Sequence, residues 1–237
     1  MINTVMNLKP DLPGKGSTII RFVLLLILLL SVKSVFASPL TLNYDLFFGY
    51  MKTEYKLQYE YVSTAFYLRD KKRGAACLIK QAWIVVDQKR DPMEFAQAGR
   101  LLPFFSEQHR KDGAMIEVEL LAGQADYQCS LQVTLMAKGA QLDNLSWPRL
   151  ALISEQLEGL LKKNAGMVGQ YFLPAFAGLR LQLAEPLSAA QLSVLDKQMI
   201  SGSENNALLL SNERLKGAEL ESLGELKVVR ITPWLVK

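Results

Sequence analysis

The chain has 237 residues, half of them hydrophobic, with 27 Lys and Arg against 23 Asp and Glu, one histidine and two cysteines. Residues 1–37 hold four of those cations and one carboxylate, so the 200 residues that follow carry only about +1 of the formal +4, too little for the electrostatic footprint of a nucleic-acid binder. One histidine excludes zinc sites built from two or three histidines of a single chain. No phosphate-binding glycine loop, G-x-S-x-G, S-x-x-K or H-E-x-x-H pattern is present, so neither a metal nor a cofactor is expected.

Lys9, Lys15 and Arg21 precede an uncharged apolar run over residues 22–32, and Val35-Phe36-Ala37 puts small residues where a signal peptidase reads them. Residues 1–37 therefore read as a secretory signal peptide cut between Ala37 and Ser38, with the product in the periplasm. The run is shorter than the roughly 20 residues of a membrane-spanning helix, so cleavage leaves no transmembrane anchor; an uncleaved anchor is the alternative. In an exported chain an even cysteine pair, Cys77 and Cys129, reads as a disulfide, with two buried free thiols as the alternative. No C-x-x-C is present, which disfavours a redox enzyme.

Leu46, Phe47, Tyr50 and Met51 fall at helical spacing and predict a short helix within residues 39–56. Residues 59–68, rich in aromatic and β-branched types, predict a half-buried strand, and residues 69–74 a hairpin tip leading to a second strand over 76–86. Asp91-Pro92 predicts a short helix over residues 93–98, and residues 109–113 a polar turn. Ile116, Val118 and Leu120 alternate with Glu117 and Glu119. Cys129, Leu131, Val133 and Leu135 alternate with Ser130, Gln132 and Thr134, which together predict a second hairpin. On this pattern the disulfide ties the 76–86 strand to the 128–136 strand on the buried side.

Leu150, Ile153, Leu157, Leu160 and Leu161 form one apolar stripe, predicting an amphipathic helix over residues 146–163 that is capped by Ser146, stopped by Gly166 and laid on the sheet. A strand over residues 179–183, a helix over 188–199, a polar loop over 201–206 and strands over 208–210 and 226–231 complete the chain. The fold class is α+β. An antiparallel sheet of four or more strands is packed by one helix within residues 38–185, and residues 186–237 form a smaller α/β element on the same domain.

Candidate chemistry is sparse. His109 is the one possible imidazole base, against the alternative of an exposed surface histidine. Glu117 and Glu119 lie about 7 Å apart along one strand face, a spacing compatible with paired-carboxylate hydrolysis, but solvated faces commonly carry such pairs. Lys71-Lys72-Arg73 and Arg110-Lys111 form basic tips that could meet anionic headgroups. Residues 164–179 carry no charge and contain Tyr171, Phe172, Leu173 and Phe176. They read either as a connection buried under the sheet or as an apolar surface for a partner or lipid-like ligand.

Gly74-Ala75-Ala76-Cys77, Cys129 in a later strand and Tyr171-Phe172-Leu173-Pro174 before Gly178, together with a tyrosine-rich first strand behind a signal peptide, resemble a family of uncharacterised exported proteins of gammaproteobacteria over about residues 40–185. That family carries no assigned activity; the resemblance implies a periplasmic, disulfide-bonded domain. Two function classes stay open. One is a non-catalytic module binding an envelope protein, lipid or polysaccharide; the other is an envelope hydrolase with a dispersed carboxylate or histidine site.

Overall fold

The computed structural model describes residues 39–121, 124, 128–143, 145–188, 202–204, 206–217 and 226–236. The expected signal peptide with its Ala37–Ser38 junction lies outside the described residues, as do the expected helix from residue 189 onward and most of the turn after Gln124. The described residues belong to one compact unit, Ser38–Lys237. They form an α+β fold of antiparallel sheets.

The first sheet orders β1 (Leu40–Asn43), β7 (Met115–Leu120), β3 (Ile79–Val86) and β4 (Lys89–Pro92). The second orders β5 (Phe95–Ala96), β6 (Arg100–Leu101), β2 (Val62–Asp70) and β8 (Cys129–Ala137). The third orders β10 (Gly202–Glu204), β11 (Ala207–Ser211), β9 (Ala175–Leu183) and β12 (Val228–Val236). Helices α1 (Asp45–Leu57), α2 (Glu107–Lys111), α3 (Trp147–Gly169) and α4 (Asn212–Gly217) complete the described elements.

The expected strands form, but the expected hairpins do not. Beyond a single bridge, Arg69 to Ala76, β2 leaves β3 and pairs with β8 over nine residues, from Val62 opposite Ala137 to Asp70 opposite Cys129. In turn β3 pairs with β7, from Ile79 opposite Leu120 to Val85 opposite Met115. A turn signal fixes where the chain reverses, whereas the choice of partner is made by burial. The strand β2 is buried on both faces rather than one, with Phe66 and Leu68 in one core and Ala65 and Tyr67 in another cluster. It sits between two neighbours, β6 and β8, inside the second sheet. Where a helix was expected over 93–98 the chain instead runs into β5, which adds an edge to β6, and the polar turn at 109–113 is largely taken up by α2.

The disulfide links Cys77, just before β3, to Cys129 at the start of β8, with 6.3 Å between Cα atoms. Both sulfurs are buried in the core that the first two sheets share with α1. On α1 the buried side chains are Phe47, Phe48 and Met51, while Leu46 is exposed, so the buried face is turned from the expected one; Phe48 packs against Phe105 and Tyr44.

The α3 stripe is the one expected: Leu150, Ile153, Leu157 and Leu160 are fully buried, and Ser146 accepts a hydrogen bond from the Arg149 N–H. Its partner differs. It covers Leu179, Leu181, Leu208, Leu210 and Ile231 of the third sheet, with Val62 and Leu135 from the far ends of β2 and β8 joining that core. Residues after 186 are therefore integral to the sheet the helix needs, since β11 and β12 flank β9 on either side.

Gly99 (φ +73°) sits where three segments meet: its carbonyl accepts from Leu68 N–H at 2.8 Å, and the Leu68 carbonyl accepts from Cys77 N–H at 2.9 Å. A Cβ at position 99 would lie 2.5 Å from the Cys77 oxygen and 2.8 Å from the Leu68 oxygen. Gly99→Ala should lower stability by about 2 kcal/mol or more, from left-handed strain and displaced backbone. Gly49→Ala, in an open helical position of α1, should raise it by up to about 1 kcal/mol. Urea unfolding of the two variants checks the opposite signs.

Candidate functional site

Of the residues that sequence reasoning offered for hydrolysis, both glutamates are paired, and the His109 ring is packed between aromatics with its Nδ1 buried and without a hydrogen-bond partner among the described residues. The His109 ring meets Tyr44 edge-on at 5.7 Å and Phe104 at 5.1 Å, and its backbone N–H donates to Ser106 Oγ at the start of α2. Glu117 accepts from Arg90, whose guanidinium lies over the Trp83 ring, and Glu119 accepts from Lys80 at 2.7 Å. Each carboxylate of β7 is thus matched by a cation of the first sheet, Glu119 by Lys80 of the adjacent β3 and Glu117 by Arg90 of β4, one strand further on. The basic tips are also partly engaged: Arg73 pairs with Asp70 at 3.1 Å and Arg110 with Asp45 at 3.4 Å.

Residues 164–179 are not a buried connection. The α3 helix breaks at Gly166 (φ +74°), and the chain beyond it turns outward. Met167, Val168, Tyr171 and Phe172 are 82, 70, 81 and 82% exposed, while Leu173 is half-buried and half-buried Phe176 packs on the third-sheet core. Absence of charge marked the segment as unusual but could not tell burial from exposure. The backbone break at Gly166, which a β-carbon would disfavour, decides it. Leaving four such side chains in water forgoes roughly 1.5–3 kcal/mol each relative to full burial.

Sequence reasoning missed a second site, a cleft of about 630 Å³ bounded by α1, β2 and β6. Glu54 (α1), Thr64 (β2), Arg100 (β6) and Lys138 line it with Tyr55 and Phe105. The last two rings stack at 4.8 Å. Glu54 Oε2 accepts the Thr64 backbone N–H at 2.9 Å, and Lys138 Nζ donates to the Tyr59 carbonyl at 2.6 Å. Thr64 Oγ1 and Arg100 Nε are buried without a hydrogen-bond partner among the described residues. Burial pushes the Glu54 carboxyl above the usual glutamate range; the Thr64 N–H and the charges of Lys138 and Arg100 pull it back only in part. One signal was legible: Phe47, Met51 and Glu54 follow i, i+4, i+7 on α1, so a carboxylate stands in the apolar stripe. Nothing local marks Thr64, Arg100 or Lys138, which only the pairing of the second sheet brings together.

These features define a disulfide-stapled α+β domain that carries an exposed apolar lobe and a separate charged cleft. Its sequence matches the model of the family described as "Protein of unknown function (DUF2987)" over residues 36–183, more than half of the chain, and the protein belongs to that family. Neither a curated protein nor a solved structure matches the sequence.

The folded Glu54 carboxyl holds its proton more tightly than the unfolded one. Its contribution to stability is therefore present below the unfolded glutamate range and lost as pH rises through the folded value. Glu54→Gln keeps the acceptor for Thr64 but removes the titration. The stability of the wild type relative to this variant should fall with rising pH, in urea unfolding repeated from about pH 4 to 8. A difference that stays flat contradicts the burial argument.

Proposed function

We propose that the protein is an exported, non-catalytic accessory module of the cell envelope that docks on a membrane surface through the lobe at residues 167–172. The observation that carries this reading is the exposure of Met167, Val168, Tyr171 and Phe172 in one lobe, within a run of 16 residues that has no charge. Inserting such a lobe among headgroups desolvates no ion. Tyr and Phe are suited to the interface, where a ring body is buried and the phenol stays wet. Exposed Lys163, just before the lobe, offers positive charge to anionic lipid, worth about 1 kcal/mol close to such a surface, whereas Lys162 is paired with Glu158 at 2.7 Å.

Export is supported by the Cys77–Cys129 bond, which persists in oxidising compartments, and by the apolar run of residues 22–32 behind three cations. Among the described residues no helix is long and apolar enough to cross a membrane. With the leader removed, a lobe of this size provides a reversible hold on the lipid surface.

Purified protein should float with vesicles containing phosphatidylglycerol. Tyr171→Ser/Phe172→Ser should weaken that binding at least about tenfold, since losing one aromatic insertion exceeds 1.4 kcal/mol. The unfolding midpoint should stay where it was, because both side chains are already in solvent. Wild-type protein that fails to float, or a double variant that floats equally well, contradicts the membrane reading.

A further inference from the structure

We infer that the cleft between α1, β2 and β6 binds a small ring-bearing hydroxy acid, with its carboxylate on Arg100 and Lys138 and its hydroxyl donating to Glu54. The inference is independent of the lobe, which lies on other elements.

The arrangement differs from a network that serves the fold. A structural trio of this kind would close Glu54 directly onto a cation. Here neither Arg100 nor Lys138 reaches Glu54 within ion-pair distance among the described residues, although both act on it through space. Glu54 spends one oxygen on the Thr64 N–H, and Lys138 spends one donor on the Tyr59 carbonyl. That leaves the second Glu54 oxygen and two further Lys138 protons unspent, and beside them the Arg100 Nε–H and the Thr64 hydroxyl, buried in the lining residues with no hydrogen-bond partner among the described residues. Buried donors without partners are rare in folded proteins and call for an explanation. The cleft, about 630 Å³, far exceeds the roughly 30 Å³ of one water and lies in the range of small-molecule sites.

Charge selects the ligand class. Arg100 and Lys138 face two carboxylates in the lining, Glu54 and Glu60. Glu60 is exposed, where solvent screens it, so around half-buried Glu54 the two cations leave a single positive excess, which a monoanion neutralises. A phosphate dianion would overshoot it and stand beside Glu54. A planar carboxylate also matches the guanidinium fork. The Tyr55–Phe105 stack supplies a flat wall beside the charged groups, suited to the face of a ring. Such a hydroxy acid could be an aromatic acid or a sugar acid, which share this chemistry.

Two probes, 4-hydroxybenzoate and glucuronate, separate these sources when titrated into the intact oxidised protein by calorimetry, with inorganic phosphate alongside. Saturable one-to-one binding of either acid is expected, and whichever binds names the source. Arg100→Met should weaken it at least tenfold. Should that variant fold poorly, the methyl ester of the binding acid tests the same contact on the wild-type protein, with the same tenfold loss expected. Binding of neither acid, binding of phosphate in preference to both, or equal binding of acid and ester overturns the proposal.

Discussion

The bond between Cys77 and Cys129 joins two places where the chain leaves one sheet for another: the passage from β2 into β3 and the entry into β8 after β7. Because β2 pairs with β8 and β3 with β7, the first and second sheets each depend on a pairing between strands distant in sequence. Bringing such strands together costs loop-closure entropy before any contact repays it. A cross-link spanning 52 residues removes part of that cost from the unfolded ensemble. Beside it, Leu68 is hydrogen-bonded to both Gly99 and Cys77, so β2, the start of β6 and the approach to β3 are fixed at one point.

Both candidate surfaces inherit their geometry from this node. Arg100 follows Gly99 directly, Thr64 lies on β2, and Lys138 comes just after β8, so the cleft is assembled from the second sheet with α1 laid across it. The same two strands, β2 and β8, pass Val62, Leu135 and Ala137 into the core under α3. The helix that ends in the apolar lobe is therefore seated partly on the sheet that forms the cleft. The uncharged lobe and the charged cleft solve opposite problems: one offers surface that loses nothing on leaving water, the other holds charges that a ligand can satisfy.

Local pattern was enough for local structure. Alternation of Ile116, Val118 and Leu120 with two glutamates identified β7 and its wet face, and the leucine stripe identified α3 with its Ser146 cap and Gly166 break. The pairing of Cys77 with Cys129 was legible as an even pair of cysteines in a chain read as exported, against the alternative of two buried free thiols. The α+β class and the helix packed on an antiparallel sheet were legible too; what failed was the choice of strand partners. Turns at residues 69–74 and after Leu120 were legible as reversals, but strand partners depend on which faces are buried, and β2 is buried on both. Asp91-Pro92 suggested a helix start, yet the backbone of that segment completes sheet edges at β4 and β5. In the cleft only Glu54 left a trace, as a charge in an apolar stripe, while no local pattern marks Arg100 or Lys138.

The claim that the cross-link between exchanged strands underwrites the rest is tested most directly by equilibrium urea unfolding of Cys77→Ala/Cys129→Ala against the oxidised wild type. A loss of about 4 kcal/mol, as expected for a loop of 52 residues, accords with the account. A loss below about 1 kcal/mol would show that sheet pairing and core burial hold the crossovers without it.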